Sequence, residues 1–175
     1  MKGDGGVLMA QAEVEENTMT GLTIRSFQAE DAEAFRLLNE EWITRYFTLE
    51  EKDNVTLGDP QGNILNKGGH IFVVAEGERC VGCVALIKMD DGVFEVSKMA
   101  VSPELRGRGV GRRLLEYTVE QARRLGAKSL FLGSSTKLKN AVHLYESIGF
   151  KHVPPEKLPP MPYVRADVFM EMPLR

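Results

Sequence analysis

Arg106, Gly107, Arg108, Gly109, Val110, Gly111 and Arg112 form a run in which glycine and arginine mingle just ahead of an apolar stripe of helical period. Residues without a side chain let backbone N–H groups come close to a ligand, and the start of a helix adds positive potential there. Arginines in the same loop supply charge-assisted hydrogen bonds to phosphate oxygens. The chemistry open to such a run is the cradling of a pyrophosphate. Two well-known cradles fail on spacing. No Lys-Ser or Lys-Thr follows the glycines, as the nucleotide-triphosphatase loop G-x-x-x-x-G-K-[ST] requires. The third glycine of a G-x-G-x-x-G dinucleotide fingerprint falls on Arg112. The spacing that fits is R-x-x-G-x-G, with Arg106, Gly109 and Gly111 in its fixed places.

Cys80 and Cys83 form a C-x-x-C within RCVGCVALI, the spacing of a redox pair or half a zinc site. The surrounding residues read as a turn entering a strand, where side chains three apart point to opposite faces. No second pair completes a zinc site. Two buried or half-buried free thiols are expected. His143 and His152 lack ligand-like spacing, and no metal is expected.

The elements that must position the glycine-arginine loop follow from periodicity. Residues 1–21 have no convincing period and read as a flexible N-terminal tail; residues 22–175 read as one domain. Leu22 to Phe27 alternates and reads as a strand. A helix follows to about Tyr46, with Ala32, Phe35, Leu38, Trp42 and Ile43 on its apolar face. A second short helix is expected around Leu49 to Leu57, then glycine- and proline-broken loops. Ile71–Ala75, Val81–Met89 and Val93–Val101 read as three antiparallel strands joined by turns. The main helix buries Leu114, Leu115, Thr118, Val119, Ala122 and Leu125 and stops at Gly126. Ser129–Leu132 reads as a strand parallel to the one before the loop. Leu138–Ile148 is a helix closed by Gly149, and Phe150–Val153 restarts the sheet. Pro154 to Pro162 is extended loop, and Tyr163–Met172 is the last strand, with Val164, Ala166, Val168, Met170 and Met172 on one face.

That order, the R-x-x-G-x-G loop and a second motif, NAVHLYESIGF from Asn140 to Phe150, together resemble the GCN5-related N-acetyltransferases (the GNAT superfamily) from Thr23 onward. The resemblance implies an α/β (α+β) fold: a mixed central sheet of about six to seven strands flanked by helices. The sheet would splay between the strand ending near Val101 and Ser129–Leu132, with a pantetheine arm in the gap. It implies an acetyl-CoA-dependent N-acetyltransferase that moves the acetyl group to a primary amine by direct attack in a ternary complex. Arg106, Gly107, Arg108, Gly109, Val110, Gly111 and Arg112 would then hold the pyrophosphate. Met99, Ala100 and Val101 would line the pantetheine by backbone contacts, one N–H polarising the thioester carbonyl, and Asn140 would touch the pantetheine chain.

The resemblance also matches Tyr145 to a tyrosine that protonates the leaving thiolate, with a buried structural phenol as the alternative. It matches Glu95 to a glutamate that takes the amine's proton, the alternative being a solvated charge or a salt bridge to Lys98. Ser134, Ser135 and Thr136 fall near the same mouth. By family geometry Trp42, Tyr46, Phe47, His70, Tyr163, Arg165 and Asp167 border the acceptor. Trp42, at helical spacing with Leu38, reads first as core packing, His70 is a second base candidate or a structural histidine, and Arg165 is placed to meet a substrate carboxylate.

Size and composition limit the rest. A chain of 175 residues with 43% hydrophobic and 27% charged residues has an ordinary globular balance. A net charge of −3 argues against a general nucleic-acid binder, so the loop arginines are a local feature. No apolar run reaches membrane-spanning length and no signal-peptide pattern opens the sequence, so a cytoplasmic location is expected. The expected partners are a small-molecule amine or a peptide amine, with neither nucleic acid nor membrane. A homodimer through the sheet edge near the C-terminus is compatible with the resemblance. Two other readings stay open: a non-catalytic acyl-CoA-binding sensor or regulatory module, and an acyltransferase using another acyl-CoA.

Overall fold

A computed structural model of the chain describes residues 18–19, 21–158 and 165–174. Most of the expected tail, and Tyr163 and Val164 at the expected start of the last strand, lie outside the described residues. One eight-stranded mixed sheet runs in the order β1-β2-β3-β4-β5-β6-β8-β7. Its strands are β1 (Thr18–Met19), β2 (Leu22–Ser26), β3 (His70–Glu76), β4 (Arg79–Asp90), β5 (Val93–Val101), β6 (Ser129–Ser134), β7 (Lys151–His152) and β8 (Val168–Pro173). The helices are α1 (Ala32–Tyr46), α2 (Glu51–Gly58), α3 (Pro60–Asn63), α4 (Val110–Arg124) and α5 (Lys139–Ile148). Thr18–Met19 therefore belongs to the sheet, pairing with Leu22–Thr23.

Strand alternation builds a core on each face of the sheet. Leu22, Phe72, Val74, Leu86, Phe94 and Val96 pack with Leu114, Leu115, Val119 and Ala122 of α4, and α5 adds Leu144, Tyr145 and Ile148. On the other face Ile71, Val73, Cys83 and Ala85 meet Phe35 and Ile43 of α1 and Leu57 of α2. Buried Asn39 fixes α1 there: its amide donates to the Phe35 carbonyl (2.9 Å) and to Cys83 Sγ (3.4 Å) and accepts from Trp42 Nε1 (3.0 Å).

Three expectations change. Leu125 is 47% exposed, because the helix ends before it and the chain turns at Gly126 with φ +79°. The last strand begins at Val168, since Asp167 is held by Thr136, which donates its N–H (2.8 Å) and hydroxyl (3.0 Å) to the carboxylate. The two cysteine side chains do not diverge. Val74 pairs with Gly82 and Ala75 with Cys80, so Val81 is an extra residue that resets the alternation. Cys80 and Cys83 consequently pack on the same face, both as free thiols. Burial pushes Cys80 up to about 11 and Cys83 higher still, so neither is a ready nucleophile.

Candidate active site

β5 and β6 are parallel neighbours for only three residue pairs, ending at Glu95 with Phe131. Beyond Glu95 the strands part, β5 staying with β4 as far as Val101 and β6 staying with β8 as far as Ser134. This is the splay expected from the sequence, and Glu95 stands at its apex. A cleft of about 650 Å³ occupies the opening, lined along β5 by Glu95, Val96, Ser97, Lys98, Met99, Ala100 and Val101. Half-buried Glu95 has its carboxyl pushed up by desolvation, against the lowering pull of Lys98 and Lys52.

The β5 wall is kinked. Cys83 pairs with Ala100 and Ala85 with Ser97, two residues of β4 spanning three of β5. At this bulge Lys98 takes φ +52°, the only described non-glycine residue with positive φ. Phe94 and Val96 pack toward α4, Lys98 turns to α2, and Met99 returns to the α4 side. The bulge thus re-aims the backbone of Lys98, Met99 and Ala100 where it walls the cleft.

The glycine-arginine loop lies between β5 and α4. Gly107 (φ +79°) and Gly109 (φ +78°) are left-handed, and a Cβ at either would meet no protein atom within 4 Å. Gly109 is the N-cap of α4 and brings no capping side chain; its carbonyl accepts from the Arg113 N–H (3.1 Å). The Val110, Gly111 and Arg112 N–H groups open the helix without a cap side chain, the arrangement that binds anions. Gly111 faces Met99 and Leu144 instead, at 3.6 and 3.8 Å from a built Cβ, ordinary contact distances that leave room for a methyl group. Arg106 lines the cleft and donates to Glu41 of α1 at 2.6 Å; Arg112 donates to Ser147 of α5 at 2.6 Å. Gly107, Arg108, Gly109, Val110, Gly111 and Arg112 stand outside the cleft lining.

Opposite β5, the cleft wall is made by Gly133, Ser134, Ser135, Lys137 to Ala141, and Tyr145. Half-buried Tyr145 packs edge-on to Phe150, with centroids 6.0 Å apart. Burial pushes its phenol up to about 12, so it keeps its proton throughout the neutral range. Asn140 lines the same wall. At the remaining side stand Trp42, Arg45 and Tyr46 from α1 and Phe47 just past its end, with Arg165 and Ala166.

Two sequence-based assignments stand differently in the structure. His70 lies away from the cleft, stacked on Phe72 (6.4 Å) and near Phe94 (6.1 Å) at the start of β3, and desolvation lowers its pKa. Arg165 lines the cleft but its guanidinium is engaged: it donates twice to Asp53 at 2.7 Å and once to Glu50 at 3.0 Å. Lys98, whose salt bridge to Glu95 was the alternative to the base role, donates to Asp53 Oδ1 at 2.7 Å, with side-chain exposures of 2% and 0%. The two cations hold the Asp53 carboxyl down at about 2 against the raising effect of its burial.

Sequence reasoning missed this ion network. Its signals were a lysine at a buried register position of β5 and the Glu50-x-x-Asp53 spacing of a capping box, in which Glu50 N–H donates to Asp53 Oδ2 at 2.9 Å. Arg45 and Lys137 were also missed as cleft residues. Among the described residues no group of three or more His, Cys, Asp or Glu is placed to hold a metal ion.

The profile of the Acetyltransferase (GNAT) family matches residues 27–150. The Escherichia coli N-acetyltransferase YjgM, itself uncharacterized, is 30% identical over 119 residues, covering 63% of this chain and 71% of its own. An uncharacterized N-acetyltransferase of Schizosaccharomyces pombe is 31% identical over 141 residues, covering 77% and 85%. Among solved structures, a GNAT-family acetyltransferase of Staphylococcus aureus superposes with TM-score 0.80 at 21% identity, covering 88% of this chain and 99% of that one. YncA of Salmonella typhimurium, a putative acetyltransferase solved with its cofactor acetyl-CoA, gives 0.70 at 21% identity, covering 89% and 95%. The chain belongs to the GNAT acetyltransferase family. It is an acyltransferase of the N-acetyltransferase type, and acetyl-CoA is the acyl donor of that family. The residues present suit that donor: left-handed glycines with open space above them, a helix start without a cap side chain, and a splayed cleft for a narrow arm.

Proposed function

We propose that the chain transfers an acetyl group from acetyl-CoA to a primary amine by direct attack, with both substrates in the cleft at once. The observation that carries this reading is the placement of Glu95 and Tyr145. One stands at the apex of the splay with a carboxyl pushed up by desolvation; the other lines the facing wall with a phenol held protonated. Those are the protonation properties wanted of a base and an acid working at the same pH.

In this reading the N–H groups of Gly107 to Arg112 and the loop arginines hold the pyrophosphate. The bulged β5 backbone at Met99, Ala100 and Val101 binds the pantetheine, with Asn140 opposite. A backbone N–H of the bulge donates to the thioester carbonyl and stabilises charge developing on its oxygen. Glu95 takes a proton from the incoming ammonium, directly or through one water. Tyr145 gives its proton to the departing thiolate, and the second proton lost by the acylated nitrogen returns, through water, to the Tyr145 phenolate. The cysteines are high-pKa thiols that do not line the cleft, which favours attack by the amine itself over an acyl-enzyme. Pairing of two copies along the β8 edge, which β7 covers for only two residues, belongs to the same reading.

The test is free-thiol release from acetyl-CoA across amino acids, polyamines, aminoglycosides and lysine peptides. Polyamines earn a place because the spermidine N-acetyltransferase of Vibrio cholerae, solved with CoA and spermine, shares the fold at TM-score 0.66 and 21% identity. Amine-dependent release is expected, and Tyr145→Phe should lower kcat about 100-fold while leaving acetyl-CoA affinity within about twofold. Tight calorimetric binding of acetyl-CoA with no release for any amine would move the chain to the sensor reading. Release with a longer acyl-CoA only would move it to another acyl donor.

A further inference from the structure

The acceptor side of the cleft is electrically one-sided. Arg45, Lys98, Lys137 and Arg165 line the cleft, whereas Glu95 is its only lining acid among the described residues. The ion network reinforces this, because it is oriented. Lys98 and Arg165 line the cleft, while their partners Asp53 and Glu50 stand behind them, outside its lining.

The aromatic rings of the mouth lead to the same conclusion. Trp42, Tyr46 and Phe47 would suit a cationic ligand if their faces were open. The chain's own cations already take positions over them: Arg45 over Tyr46 at 5.4 Å, Lys137 over Phe47 at 5.2 Å, and Arg165 over Trp42 at 5.9 Å and Phe47 at 6.0 Å. A polycation entering here would meet like charge at each ring. An anionic group would meet N–H donors backed by aromatic walls.

We infer that the acceptor is an amine that also carries an anionic group, a carboxylate or a phosphate. Its amine lies at Glu95 and its anion at the mouth between Arg45 and Lys137. The inference rests on the acetyl-transfer reading and adds the acceptor's chemical class. Lys98 and Arg165 act by field rather than by contact, since their donors are engaged with Asp53 and Glu50.

The experiment compares kcat/KM at one ionic strength for four acceptors: an amino dicarboxylic acid, phosphoethanolamine, an uncharged alkylamine of similar length, and spermidine. The carboxylate or the phosphate amine is expected to exceed both the neutral amine and spermidine by at least about tenfold, the yield of one charge-assisted contact. The double variant Arg45→Glu, Lys137→Glu changes two exposed side chains. It should lower the ratio of anionic to neutral acceptor at least about tenfold. Three results overturn the inference while leaving acetyl transfer intact: spermidine as the best acceptor, an unchanged ratio in the variant, or a variant whose loss is confined to the KM for acetyl-CoA. Thiol release with none of the four, nor with any other amine, overturns acetyl transfer itself. Binding of acetyl-CoA measured alongside separates that outcome from a misfolded sample.

Discussion

At the scale of single residues, the account turns on two carboxyls shifted in opposite directions, Glu95 upward by desolvation and Asp53 downward by the cations against it. Glu95 is pushed upward by desolvation but remains a carboxylate once the pH exceeds its raised pKa. If it is the base, kcat/KM must fall as the pH drops through that pKa, because protonation removes the acceptor of the amine's proton. Glu95→Gln should therefore lower kcat/KM about 100-fold at neutral pH and abolish the acid limb of the pH profile. A variant that keeps the wild-type acid limb would assign it to another group. Asp53 is shifted the other way. Its folded pKa, about 2, lies below the ordinary 3.8, so its contribution to stability is fully present above about pH 4 and is lost as the pH falls through about 2. Asp53→Asn leaves Lys98 buried without its counter-charge and should cost about 3 kcal/mol in urea denaturation at neutral pH. A loss below about 1 kcal/mol would mean that water or Glu50 compensates the cations.

At the scale of elements, what the sequence revealed and what it hid have a common cause. Strands and helices with a clear period were legible: β5 is observed as expected at Val93–Val101, and the buried stripe of α4 fails only at Leu125, beyond the last helical turn. Local periodicity does not report interruptions set by pairing partners. The extra residue Val81 and the bulge at Lys98 both appear only when β4 is laid against its neighbours, and each moves side chains to the other face. The same reason explains Arg165. Its type and place near the cleft were readable, but its engagement with Asp53, 112 residues earlier, was not. The glycine loop was legible because its demands are local. Gly109 needs φ +78°, and above it there is open space rather than packed protein. Gly109→Glu should thus fold, at a cost of about 1–2 kcal/mol for the left-handed backbone, yet lose acetyl-CoA affinity at least about tenfold by calorimetry. A folded variant with unchanged affinity would place the pyrophosphate elsewhere.

At the scale of the whole molecule, the sheet is one continuous layer with a core on each face, opened at a single line between β5 and β6. In the proposed reading both substrates share that opening. Arg106 and α5 frame it on one side, the end of α1 and the network behind Lys98 on the other. No helix among the described residues is long and apolar enough to cross a membrane. The most direct test of direct transfer within this cleft is the initial-velocity pattern with acetyl-CoA and the best acceptor both varied. The account predicts double-reciprocal lines that intersect, because the amine attacks only while acetyl-CoA is bound. Parallel lines, with acetyl group retained on the protein after the free coenzyme is removed, would contradict it.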